Sequence, residues 1–256
     1  MTSIQVTRSG AVAEVVLNRP EKKNALRNAD WRLLRQTMET LGAEADPVRC
    51  VLVRGEGGSF SAGHDLTGAD ARVLDARETI TEYVNPALLA VRDIAIPTVA
   101  AVDGPCVGGG LGVAMACDIV LAADDAVLGS PFRNIGIMLD AGGHYFLRDR
   151  LGHHKASQII YTGRMFSGRE AFDMGLVCEA YAPDALLNEA RALAERIADG
   201  PTAAFAASKR ILLETSGYAE SLAREADEQA EVFKTLDAAE GLAAFNEKRQ
   251  PVFLGR

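Results

Sequence analysis

Two glycine-bearing turns are the places where this chain could do chemistry. The stretch Pro105 to Asp118, PCVGGGLGVAMACD, sets three adjacent glycines ahead of small apolar residues, with no charged residue until Asp118. A phosphate loop would need a Lys directly after the glycines, or a third glycine at position 113, which is Val113. Neither pattern is present. What the spacing leaves is a strand, a glycine turn and a helix start. The first N–H groups of such a helix are unpaired and lie at the positive end of its dipole. Close helix–strand packing would call for the same glycines. A second turn, GSFSAGHDL from Gly58 to Leu66, follows the apolar run CVLVR. Two such turns can aim two N–H donors at one oxygen, an oxyanion hole for a carbonyl that becomes an enolate.

The elements that must hold these turns follow from hydrophobic periodicity. Ile4 to Arg8 and Ala11 to Leu17 alternate as two strands around a Ser9-Gly10 turn. Trp31 to Leu41 has the apolar spacing of an amphipathic helix, and Cys50 to Arg54 reads as a short buried strand. The charged residues 65–80 show no strong period and are expected to form a mobile segment. A helix is expected over Thr81 to Ala95, weakened by Pro86. Thr98 to Val102 and Asp118 to Ala122 are strands, with a short helix from Gly109 to Cys117 between them. Helical patterns follow at 142–150, 153–163, 167–174, 184–198, 202–215 and 219–247, with a short strand near Leu176 to Ala180. Strands alternating with helices, then helices alone, indicate an α/β fold with a helical C-terminal region.

Composition narrows the partners. The 256 residues carry a net charge of −8, which argues against nucleic acid and requires locally placed Lys or Arg for an anionic ligand. No apolar run reaches transmembrane length, and MTSIQVTRSG lacks a signal-peptide core, so a soluble cytoplasmic protein without a membrane partner is expected. Cys50, Cys106, Cys117 and Cys178 form no metal-like pattern with the histidines and are expected to be buried, reduced thiols, so no metal is expected.

The motifs LNRPEKKNAL (17–26), FSAGHDL (60–66), VDGPCVGGGLGVAMACDIVLA (102–122), GIMLDAGGHYFLRDRLG (136–152), GLVCEA (175–180) and FNEKRQPVF (245–253) span nearly the whole chain. In that order they resemble the crotonase superfamily, also called the enoyl-CoA hydratase/isomerase family. The resemblance implies a spiral of ββα units over residues 1–198 and a helical oligomerisation region over 199–256. It implies homotrimers or dimers of trimers, and apolar Phe205, Ile211, Leu212 and Leu213 suit such contacts. It also implies an acyl-CoA thioester substrate in fatty-acid metabolism, with coenzyme A part of the substrate and no separate cofactor. The oxyanion donors fall on the backbone N–H groups of His64 and Gly109. For coenzyme A, Lys22 and Lys23 would meet phosphates, the backbone around Ala62 and Leu66 would receive adenine, and Phe245 with Lys248 would reach a neighbouring subunit's ligand.

The sequence departs from the hydratase pattern where the two catalytic glutamates should stand. Those positions are Gly112 and Phe132, and neither can activate water. Asp140, in LDAGG, matches a position at which some isomerases of the family carry a catalytic aspartate. A single base can shift a double bond, and an apolar setting beside Phe132, Ile137, Met138 and Leu139 would raise its pKa. Asp140 could instead cap a helix beginning at Ala141. His64 belongs to a GHDL version found in a decarboxylase branch, where a cationic imidazole would assist loss of CO₂, although its backbone alone could be the working part. His144 could face the pocket, and His153 and His154 look like a surface helix start. The implied function is enoyl-CoA isomerisation with Asp140 as base. The alternatives are a decarboxylase, a weak hydratase (a lyase), or a non-catalytic acyl-CoA binding protein.

Overall fold

A computed structural model describes residues 2–43, 48–68 and 75–256. Strand β1 (Ile4–Ser9) pairs antiparallel with β2 (Val12–Leu17), after which helix α1 (Asn28–Ala43) crosses to β3 (Cys50–Gly55). The short α2 (Ala76–Glu78) runs through a π-helical turn, Thr79–Val84, into α3 (Asn85–Asp93). Pro86 therefore lies just after the π-helical turn within one continuous helical run, and the helix is not interrupted there. Of the 65–80 segment expected to be mobile, residues 69–74 lie outside the described part and 76–80 are helical.

Next come β4 (Thr98–Val102), β5 (Pro105–Val107), α4 (Gly109–Ala116), β6 (Ile119–Ala123) and β7 (Val127–Gly129). Helix α5 (Gly143–Thr162) joins two predicted helices across a non-helical Gly152. Strand β8 (Phe166–Ser167), α6 (Gly168–Asp173), β9 (Glu179–Tyr181) and α7 (Pro183–Ala198) complete the first part. The chain closes with α8 (Thr202–Glu214), α9 (Tyr218–Val232) and α10 (Leu236–Glu247). The helix expected over 219–247 is thus two helices, because the Thr235 hydroxyl accepts from the Ala238 N–H and starts a new one.

Among the described residues the main sheet has the order β1-β2-β3-β4-β6-β9, parallel from β2 onward. A second sheet, β5-β7-β8, stands beside it. Its strands have two or three residues each, too short to leave a periodic signal in the sequence. Strands β2 and β4 are buried along their whole length, as parallel strands covered on both faces should be. The two glycine turns leave adjacent C-terminal strand ends: Gly58–Leu66 follows β3 and Gly108 follows β5. A bridge between Ser61 and Cys106 ties them together.

Buried charges brace this frame. Lys209 of α8 is buried with its Nζ 2.8 Å from the Asp118 carboxylate, which also accepts from the Thr98 N–H and hydroxyl. Cys50, Cys106 and Cys117 are buried, and burial pushes the thiols of Cys50 and Cys117 up to about 12. Cys178 departs from expectation: it is exposed on the approach to β9.

Candidate active site

The site is built around the first turn of α4, a helix buried along its whole length. Gly108 precedes it at φ 54, in the left-handed region that glycine enters without a steric penalty. The Gly109 N–H begins the helix and has no acceptor among the described residues. Opposite stands Gly63, where an added Cβ would lie 2.5 Å from the Val107 carbonyl oxygen and 2.9 Å from the Gly109 nitrogen. The neighbouring His64 N–H is likewise without an acceptor among the described residues. A Cβ built on Gly109 would be 3.5 Å from the His64 nitrogen, so the two expected donors are neighbours. Two unpaired N–H groups at a helix N-terminus have the chemistry to stabilise a developing oxyanion.

The His64 turn is held by a polar lattice. Leu26 N–H donates to the Gly63 carbonyl, Asp65 N–H to the Leu26 carbonyl, and Ala62 N–H to the Lys23 carbonyl. Buried Asn24 donates to the carbonyls of Glu56 and Ser59, and its side-chain oxygen accepts from the Arg19 N–H. The Arg19 guanidinium reaches the carboxylates of Asp30 and Asp65 at 3.4 and 3.1 Å. Hydrogen bonds from Thr67, then from Arg19, hold the Asp65 carboxyl down at about 2. Of the residues expected to meet coenzyme A, Ala62 and Lys23 are joined by the backbone hydrogen bond from the Ala62 N–H. Lys22 and Lys23 are both exposed, as phosphate ligands would need to be.

Gly112 lies three residues into the helix from Gly109, on the same side. A Cβ there would stand 2.5 Å from the Ala141 carbonyl oxygen and 2.7 Å from the Ala141 Cβ. The backbone of the 140–142 turn occupies the space a glutamate side chain would need. Phe132 places its ring against Gly108, where a Cβ would lie 2.8 Å from the ring. Neither Gly112 nor Phe132 is an acid, and both positions are filled by packing.

Asp140 is half-buried beside this turn, and burial raises its pKa, opposed by a hydrogen bond from its own backbone and the field of exposed His144. Two expectations about it fail. Helix α5 begins at Gly143, not Ala141, and its N-cap is Gly142 with no side-chain cap bond, so the Asp140 side chain does not cap it. Ala141 takes φ 50 and turns the chain before the helix can start. The apolar surroundings are narrower than expected: Leu139 is buried and Phe132 half-buried, but Ile137 and Met138 are 47% and 72% exposed. His153 and His154 are exposed near the kink.

The His64 imidazole holds a feature that sequence reading missed. Its Nδ1 accepts a hydrogen bond, 3.0 Å long, from the indole Nε1 of fully buried Trp31. Burial lowers its pKa, partly offset by Asp65, so the cation needed by a decarboxylase is disfavoured. Phe245 is 81% exposed on α10, and Lys248 ends that helix as its left-handed C-cap.

The family model described as enoyl-CoA hydratase/isomerase matches residues 7–256. The chain belongs to that family. It is 36% identical to YhaR of Bacillus subtilis, named among the enoyl-CoA hydratases/isomerases, over 99% of each chain. It is 38% identical to the human mitochondrial enoyl-CoA hydratase domain-containing protein 2, covering 96% of this chain and 86% of that one. The crystal structure of an enoyl-CoA hydratase from Bacillus anthracis superposes with a TM-score of 0.93 at 30% identity, covering 100% of both chains. The fold is therefore the crotonase fold. Among the described residues no helix is long and apolar enough to cross a membrane, and no cluster of His, Cys, Asp or Glu is arranged to hold a metal.

Proposed function

We propose that this member of the enoyl-CoA hydratase/isomerase family shifts the double bond of an enoyl-CoA thioester, with Asp140 as its single base. The observation that carries the reading is the contact of Gly112 with Ala141. It leaves no space for a longer side chain at 112, and the residue next to Asp140 packs on the first turn of α4, which supports Asp140 as the base. The Asp140 carboxylate takes a proton from one carbon flanking the double bond. The electron pair moves toward the thioester oxygen, where the N–H groups of His64 and Gly109 and the α4 dipole stabilise the negative charge. The protonated Asp140 then returns the proton to the other end of the delocalised system. No atom is gained or lost. The lowered pKa of His64 favours this over decarboxylation assisted by an imidazolium.

The test is to supply a cis-3-enoyl-CoA and a trans-2-enoyl-CoA separately to purified protein and follow their interconversion. Binding without interconversion would leave a non-catalytic acyl-CoA binding protein.

Hydration of crotonyl-CoA is expected to be absent or very slow, since water activation and carbon protonation use a paired acid and base. Loss of the enoyl ultraviolet absorbance measures it. A rate on the order of 10 per second, ordinary for an enzyme, would overturn the expectation.

The assembly proposed here is a trimer or dimer of trimers. Leu212 of α8 is 82% exposed, and Phe233, Leu236, Leu242 and Phe245 add exposed apolar side chains on the closing helices. Light scattering at micromolar concentration should find no 27.2 kDa species. Phe245→Ala with Lys248→Ala should weaken acyl-CoA binding if α10 serves a neighbour's ligand, and unchanged affinity would remove that role.

A further inference from the structure

We propose that Trp31 is a positioning residue for the acyl site, its indole N–H locking the His64 imidazole as the neutral Nε2–H form so that the side chain is an uncharged donor beside the carbonyl-binding backbone. An indole nitrogen only donates, so the ring atom it meets must be an unprotonated nitrogen. That atom is His64 Nδ1, 3.0 Å away. The proton of the neutral ring therefore resides on Nε2, which has no partner among the described residues. Protonating Nδ1 would set two N–H groups against each other, which adds to the resistance that burial already gives the cation.

Trp31 is well fixed for the task. It is fully buried, and the preceding Asp30 carboxylate accepts from Ser3, from the Arg27 N–H and from the Arg27 guanidinium. The six-membered ring of the same indole, at the carbon next to the nitrogen-bearing fusion atom, packs on the other donor: a Cβ on Gly109 would stand 2.9 Å from Trp31 Cζ2. One rigid ring thus touches both halves of the hole. The charged neighbour that raises His64 is Asp65, itself engaged by Arg19 and Thr67. In this state His64 is a donor to an oxygen acceptor on the acyl group and cannot act as the general base at Nδ1. The significance rests on the oxyanion reading of the His64 N–H; the pairing itself does not depend on turnover.

Trp31 is the chain's one tryptophan, so its indole N–H gives a single resonance in a ¹⁵N-tryptophan-labelled protein. That signal should lie downfield of an unbonded indole and move upfield in His64→Ala. Imidazole ¹⁵N shifts should show Nδ1 unprotonated and Nε2 protonated, with titration below the ordinary value of about 6.5. In Trp31→Phe, which keeps an aromatic ring but no donor, the midpoint should rise toward that value and the tautomers should mix. An indole signal unmoved in His64→Ala, or a protonated Nδ1 in the parent protein, would overturn the proposal. Should Trp31→Phe fail to fold, these two measurements still decide it. Loss of the pairing with isomerisation intact would remove this role alone, and the reverse result would remove only the isomerase reading.

Discussion

Asp140→Asn should cut double-bond shifting by roughly 10²–10⁴, the usual effect of losing a positioned proton carrier, while acyl-CoA affinity stays nearly unchanged. The amide keeps the shape of the carboxyl but cannot take a proton. Stability should not fall, because the Asp140 side chain makes no cap bond to α5. It should hold or rise at neutral pH, since burial raises the Asp140 pKa and an ionised carboxylate there is unfavourable. The pH dependence has a definite sign. A raised folded-state pKa means the native protein holds this proton more tightly than the unfolded chain. The contribution therefore favours the native state below the unfolded pKa and is lost as pH rises through the folded one. Activity moves oppositely, rising through the same range as the base ionises. Asp140→Asn should remove both dependences. Solvent deuterium exchange at the substrate's α or γ carbon gives a second readout of proton removal. Parent-like exchange in Asp140→Asn would dismiss Asp140 as the base, leaving His144 to test.

The two glycine turns were legible because their signal is local: a strand, a glycine turn and a helix start are contiguous at 105–116, and again a strand and turn at 50–66. The absence of the hydratase acids was equally visible, because Gly112 and Phe132 are identities rather than conformations. What the sequence could not carry is whatever depends on contacts between distant residues. Trp31 reads as one more apolar position of α1, and only the fold brings it to His64, 33 positions away. Capping by Asp140 was a sound expectation for Asp before a helix. It failed because Ala141 adopts a left-handed conformation against Gly112, delaying the helix to Gly143. The exposure of Ile137 and Met138 similarly follows from the path of a loop that has no periodicity to read. Gly63 lies in a motif noted for its neighbour His64, and its own importance emerges only from the backbone it faces.

That importance makes Gly63→Ala the sharpest test of the hole. The residue sits at φ 86, so any side chain there is strained, and its new methyl carbon would press 2.5 Å from the Val107 oxygen and 2.9 Å from the Gly109 nitrogen. These are backbone atoms on either side of the Gly108 turn, and they cannot give way like the end of a flexible side chain. Relief must come from moving the 61–65 segment away from α4, which displaces the His64 donor from the Gly109 donor. Loss of one oxyanion donor typically costs about 10²–10³ in kcat, and turnover in Gly63→Ala should fall by at least that much. Gly68→Ala separates this from backbone strain alone. Gly68 has a similar φ of 75, but a Cβ there meets nothing within 4 Å among the described residues. Gly68→Ala should therefore lose stability through its backbone alone and keep its turnover. Equal losses of turnover in the two variants would show that strain, not separation of the donors, is responsible. Parent-like turnover in a folded Gly63→Ala would mean that the thioester oxygen is not held between His64 and Gly109.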